Sequence, residues 1–391
     1  MKVLFKQAAI LTTVLASFSF LSLKKPGTDI HVTSKIPPGK NTAKIQAAIL
    51  LDVSNSMDGL IEQAKAQLWN MVSVMGKAKC NDSITPQIEI ALYEYGRSSN
   101  DVKAGYVKQI SAFTTDLDKL SQQLFNLTTN GGDEFCGQVI YTSLKDLSWD
   151  TTPSNYKVIF IAGNEDFLQG HLLYTRACDE AKNKGVIVNT IYCGDKMQGI
   201  REHWNLNAEC GSGSYTNIDQ DARIEDIPTP YDSTIFALND KLNRTYLRYG
   251  TLGTAGYAAQ ASADQKNYEM NKSVAVKRVT VKGKKELYNN TSWDMVDAAA
   301  DDKNFSEKVD LKSLPDSLQH KSRKEIQELI NKKTNERTLI QKEIETVNTK
   351  RDLFLAEEKK KHSTNNQSAT LESEIERIIK KQVVKFNMVI K

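Results

Sequence analysis

The stretch Ile45-Gln46-Ala47-Ala48-Ile49-Leu50-Leu51-Asp52-Val53-Ser54-Asn55-Ser56-Met57 decides how this chain is read. Residues 45–52 are an apolar run with strand composition, closed by a carboxylate. An amphipathic helix follows, with Leu60, Ala64, Leu68 and Met71 on one face. Asp-x-Ser-x-Ser therefore sets one carboxylate and two hydroxyls on a tight loop at the carboxyl end of a strand. Open α/β sheets bind their ligands at that end. Hard oxygen donors suit Mg²⁺ or Mn²⁺ better than a soft metal. The same residues also read as a helix N-cap, with Ser56 or Asp58 capping a helix that starts near Met57.

The alternation continues on the far side of this unit. Residues 87–96, 157–163, 186–194 and 214–218 read as further strands, and helices are expected at 116–127, 134–149, 173–184, 203–210 and 235–249. Apolar strands joined by helices of this length predict an α/β fold: a doubly wound, mostly parallel sheet with helices on both faces. A helical, partly coiled-coil C-terminal region follows it. Gly250-Thr251-Leu252-Gly253 marks the boundary, and Tyr288 to Asp297 is a distinct aromatic and polar patch. After Pro315 there is neither Gly nor Pro. Ile326, Ile330, Ile340, Ile344, Val347 and Phe354 recur at a 4-3 spacing, with Lys333, Arg337 and Arg351 at the missing heptad positions. The polar run from His362 to Thr370 breaks this helix, and Leu371, Ile375, Ile378 and Ile379 resume it.

The expected divisions are a signal peptide or N-terminal anchor over 1–23, a linker over 24–43 and the sheet domain over 44–249. A mostly helical connecting region over 250–315 and a helical hairpin or coiled-coil tail over 316–391 complete the chain. Lys2 and Lys6 ahead of an apolar run suit an export signal, and the run is short for a spanning helix. The chain is thus expected to be exported to the periplasm or cell envelope, cleaved or retained by its N-terminus. The net charge of +4 over 391 residues is small, and nothing in it argues for nucleic acid. Cys80, Cys136, Cys178, Cys193 and Cys210 are too scattered for a zinc motif, and an odd number leaves at least one unpaired within the chain. Neither HExxH nor GxSxG is present, so no catalytic nucleus is apparent.

Asp52-x-Ser54-x-Ser56 after a first strand resembles the opening segment of the metal-ion-dependent adhesion site of von Willebrand factor type A (vWA) domains. Ala208-Glu209-Cys210-Gly211-Ser212-Gly213-Ser214-Tyr215 is similar to the stretch before the last strand of such domains. Asn130-Gly131-Gly132-Asp133-Glu134-Phe135-Cys136-Gly137 with Ile161-Ala162-Gly163-Asn164-Glu165 is similar to an exported bacterial subgroup. The resemblance covers roughly residues 44–249 and implies a vWA/Rossmann-like sheet. Two segments depart from the family pattern. Asp133 stands where a Thr is usual, and Gly163 where an Asp is usual.

The resemblance implies a remodelled site that keeps its charge, with Asp52, Ser54, Ser56 and Asp133 holding Mg²⁺ or Mn²⁺. Thr129, Glu134, Asn164 and Glu165 are further candidates in or behind that shell. In the resembled family the metal is bridged by an Asp or Glu of a partner protein and no bond is broken. A non-enzymatic, metal-dependent protein-binding module is therefore expected, with Gly131, Phe135, Phe167 and His171 on its rim. The alternatives are an assembly protein with a degenerate site that self-associates through its helical tail, and a metal-assisted hydrolase with Glu134 or Glu165 as base.

Overall fold

A computed structural model of the chain describes residues 43–80, 85–219, 221, 226–361 and 370–390. The expected signal or anchor segment and most of the linker lie outside the described residues, as does the polar break at 362–369. Residues 42–391 form one compact unit. Among the described residues no helix is long and apolar enough to cross a membrane.

The chain begins with β1 (Lys44–Asp52) and α1 (Asp58–Met75), then the short β2 (Ala78–Lys79), β3 (Gln87–Tyr95) and β4 (Lys108–Thr114). It continues through α2 (Leu117–Phe125), α3 (Cys136–Asp146), β5 (Tyr156–Gly163), α4 (Tyr174–Lys184) and β6 (Ile187–Cys193). Next come α5 (Lys196–Arg201), α6 (Trp204–Cys210), β7 (Tyr215–Ile218) and α7 (Asp232–Asn243). The sheet runs β4-β3-β1-β5-β6-β7, parallel except for β4. β1 is central, and every residue from Ile45 to Asp52 is buried. Its side chains alternate. Ile45, Ala47, Ile49 and Leu51 face a core built with α1, while Ala48 and Leu50 face one built with α3, α4 and α6.

Of the six strands of the main sheet, β4 is the one that the sequence pattern does not announce; the two-residue β2 and β8 outside it are not announced either. It is an edge strand in which Ser111 alone is buried, and its register against β3 shifts twice. With both faces largely wet, neither an apolar run nor a clean alternation is needed there.

Beyond Gly250 the chain forms α8 (Gly253–Met270), α9 (Lys272–Lys282), α10 (Met295–Asp301), α11 (Phe305–Lys308), α12 (Asp316–Gln319), the long α13 (Arg323–Lys361), α14 (Leu371–Val383) and β8 (Val389–Ile390). α9 and α14 both pack on α1, and Val274, Val276, Val279, Leu371, Ile375, Ile378 and Ile379 join the core on that face of the sheet. α13 lies against α7, α9, α10 and α11. β8 pairs antiparallel with β2.

The interruptions in the heptad pattern have a physical cause. Arg337 is buried, and its Nη1 donates to Asp294 Oδ2 and Asp297 Oδ1, each at 2.8 Å, while the guanidinium lies 4.0 Å above the Tyr246 ring. Arg351 donates from Nε to Asp232 Oδ1 at 2.7 Å. Both arginines dock α13 onto its own chain. Asp294 belongs to the aromatic patch, where Trp293 stacks on Tyr246. A disulfide joins Cys178 to Cys210 with Cα atoms 5.5 Å apart, tying α4 to α6, and Cys80, Cys136 and Cys193 are free.

Candidate metal site

The carboxyl ends of β1, β3 and β5 meet at Asp52, which pairs with Tyr95 across the sheet and is fully buried. Asp52 Oδ1 accepts from the Ser54 backbone N–H at 2.7 Å, closing the loop on itself. Among the described residues, Asp52 Oδ2 is buried with no hydrogen-bond partner within 3.5 Å. Ser54 Oγ lies 3.3 Å from Ser56 Oγ, and Asn164 Nδ2 donates to Ser56 Oγ at 3.3 Å. Met57 sits at the cap of α1 and gives it no side-chain bond, and Ser54 gives none to the short turn at 55–57. The cap position of α1 is thus held by Met57, between the two residues, Ser56 and Asp58, that the sequence offers for it.

The loop after α2 is docked onto this corner. Asn130 N–H donates to Val53 O at 2.8 Å, and Thr129 Oγ1 donates to Asp58 Oδ1 at 2.6 Å. Thr129 thus approaches the start of α1. Asp133 is exposed, whereas Glu134 beside it is buried at 6 % exposure and turns inward. Glu134 rests on Gly96, whose φ of +82° favours glycine. A Cβ at Gly96 would meet Glu134 Cγ at 2.9 Å and Asp52 Oδ1 at 3.0 Å. Glu165 is exposed and Asn164 half-buried on the β5 loop.

Gly163, at the position where the family usually has Asp, is held by its surroundings. A Cβ there would meet Tyr95 Oη at 2.5 Å and Asp52 Oδ2 at 3.0 Å. The Tyr95 hydroxyl donates to Ala162 O at 2.9 Å and fills the space that a longer side chain would need. Tyr95 and Gly96 belong to no motif in the sequence. The alternation of β3, with Ile88, Ile90 and Leu92 toward one core and Tyr93 and Tyr95 toward the other, was the available signal.

Burial pushes the Asp52 carboxyl up to about 7, against the hydrogen bonds from Ser54 that lower it, and the Glu165 charge adds to the rise. Burial likewise pushes Glu134 up to about 8, with Asp52 and Glu165 raising it further and a Ser54 hydrogen bond opposing. The corner therefore concentrates oxygen donors whose ionised forms lack compensation from solvent. Among the described residues, no three His, Cys, Asp or Glu side chains converge as a metal-holding group.

Among the expected rim residues, Phe135 is half-buried and packs edge-on to Tyr106, and His171 is exposed. Phe167 is corrected: it is 1 % exposed and packs on Trp204, because the β5 loop folds back toward α6. Leu168 and Leu173 on the same loop are the exposed apolar side chains, at 43 % and 69 %.

The sheet order, the antiparallel edge strand and an Asp-x-Ser-x-Ser loop at the end of the central strand now stand together. The fold is a mostly parallel six-stranded α/β sheet with helices on both faces, as the sequence predicts. No family model matches the sequence, and no curated protein matches it. Among solved structures, the chain is similar to a von Willebrand factor type A protein from Catenulispora acidiphila at 14 % identity and a TM-score of 0.34, over 45 % of this chain and 39 % of that one. It is similar to an aerotolerance-related membrane protein from Bacteroides fragilis at 15 % identity and TM-score 0.32, over 45 % of this chain and 93 % of that one. It is similar to the SpRpn10 VWA domain at 15 % identity and TM-score 0.32, over 45 % and 88 %. The match to the Catenulispora protein thus spans less than half of either chain.

Proposed function

We propose that this chain is a non-enzymatic protein-binding module of the cell envelope, dependent on a divalent cation. The observation that carries this reading is Asp52 Oδ2, a buried carboxylate oxygen with no hydrogen-bond partner within 3.5 Å among the described residues, beside two serine hydroxyls at the end of the central strand. Leaving such an atom unsatisfied is costly, and a cation is the partner its chemistry favours. Asp52, Ser54 and Ser56 would hold Mg²⁺ or Mn²⁺, with Glu134 beneath it and Asp133, Thr129, Asn164 and Glu165 around it. Magnesium keeps several of its waters, so a shell with few protein ligands suits it. The bound cation would supply an open position for an Asp or Glu of the partner. The exposed Leu168 and Leu173 would add apolar contact beside that acidic group.

Calorimetric titration with Mg²⁺ and Mn²⁺ tests the site. Binding is expected in the wild type, loss in Asp52→Ala, and weakening by at least tenfold in Glu134→Gln. Absence of heat in the wild type would overturn the metal assignment. A pull-down from an envelope fraction, with and without chelator, tests the bridge. Partners retained equally with chelator would refute a metal-mediated contact.

A further inference from the structure

At the end of α1 remote from the Asp52 corner, α1, α9 and α13 leave a cavity of about 270 Å³ between them. That is far more than the ~15 Å³ that admits one water. Its walls are polar where packed helices ordinarily turn apolar residues to one another. Asn70, Ser73 and Lys77 fall at i, i+3 and i+7 along α1 and share one stripe facing the cavity. At 1.5 Å of rise per residue that stripe is about 10 Å long. Thr280 of α9 and Lys284 just beyond it face the same space, as do Glu345 and Asn348 of α13. Thr280 Oγ1 lies 2.9 Å from Asn348 Oδ1, which holds α9 and α13 together across the floor.

Both ends of the α1 stripe lack a partner. Asn70 is 7 % exposed, and its Nδ2 is buried with no hydrogen-bond partner among the described residues. Leaving a buried amide donor unpaired is costly. At the other end, neither Lys77 nor Lys284 makes an ion pair among the described residues. Burial, and then the Lys77 charge, pull the half-buried Lys284 amine below its usual value, against Glu345. The other two cations of the wall are already matched, Lys277 by Glu372 and Arg351 by Asp232. Two free ammonium groups against Glu345 leave one positive charge uncompensated.

We propose that this cavity binds an anionic sugar, a single hydroxylated unit carrying one carboxylate or phosphate. The acid group lies between Lys77 and Lys284, whose ammonium groups act as point charges toward either acid. Ser73 donates a hydroxyl to it. The sugar hydroxyls extend along the stripe to Asn70 and meet Asn348 across the cavity, because a carboxamide offers both donors and an acceptor. No aromatic side chain lines the cavity among the described residues, so a nucleobase would find nothing to stack on. The site is independent of the cation at Asp52.

The test is calorimetric titration of the full-length chain, with chelator present to keep the Asp52 corner out of the measurement. Glucuronate and glucose 6-phosphate are the probes, and glucose and inorganic phosphate are the references. At least one acidic sugar is expected to bind one-to-one, at least tenfold more tightly than either reference. Which of the two binds identifies the acid group. Lys284→Gln and Asn70→Ala are each expected to weaken that binding about tenfold. Absence of binding by both acidic sugars overturns the proposal, and so does a reference that binds as tightly as they do. Unchanged affinity in either folded variant also overturns it, because the sugar then sits elsewhere. The wild-type titration decides the matter even if a variant does not fold.

Discussion

Asp52 and Glu134 give the site a pH signature. Each carboxyl is raised above its usual range, to about 7 and about 8, chiefly by burial. Between their ordinary values and these, the folded chain binds more protons than the unfolded chain. Stability of the metal-free protein should therefore fall as pH rises through that window and level off above it. A cation needs the ionised forms, so Mg²⁺ should raise the melting temperature more at about pH 8 than at about pH 5. Scanning calorimetry at both pH values would check this, and an equal gain at both would count against these two carboxylates as the site. Gly163→Ala should destabilise by about 1–3 kcal/mol through overpacking. Tyr95→Phe should recover part of that loss, because the hydroxyl is the atom met at 2.5 Å. Denaturant unfolding of both single variants and the double variant would measure the coupling. Asp52, Ser54 and Ser56 were legible in the sequence because they share one loop with a strand before it and a helix after it. The choice of Glu134 over Asp133 as the inward carboxylate was not legible. It depends on how a glycine-rich loop seats against Gly96, and no local periodicity encodes that.

Elements were legible in proportion to how much of them is buried. β1 and β5 are buried along nearly their whole length and read as plain apolar runs, whereas β4 has one buried residue and left no trace. The irregular seam of α13 was legible as irregular, but its meaning needed the carboxylates opposite. Arg337→Leu should cost about 3–5 kcal/mol, because it strands Asp294 and Asp297 in a buried setting. Replacing both Asp294 and Asp297 by Asn in the same background should recover part of that cost. Thermal unfolding of the two variants is the measurement. Cys178→Ser with Cys210→Ser should lower stability by about 2–4 kcal/mol by releasing the link between α4 and α6. Unfolding under reducing and oxidising conditions would separate that loss from a packing change.

At the scale of the whole molecule, the helices beyond Gly250 complete the core on the α1 face of the sheet. Residues 371–383 cover α1 directly, so a chain ending at Pro315 should expose apolar surface rather than leave an intact sheet unit. Binding of a hydrophobic dye and loss of a cooperative melting transition are the expected readouts. A soluble, cooperatively melting fragment would instead make the later helices an addition to a self-sufficient unit. The pairing of Val389 and Ile390 with Ala78 and Lys79 has a temporal meaning as well. A ribosome emits the first of these strands some three hundred residues before the second. The part of the α1 face that residues 371–383 cover must therefore wait for most of synthesis, and completion of the core is deferred until the last helix and β8 have emerged. A chain built this way is left open to chaperones, for most of its synthesis, by its own topology.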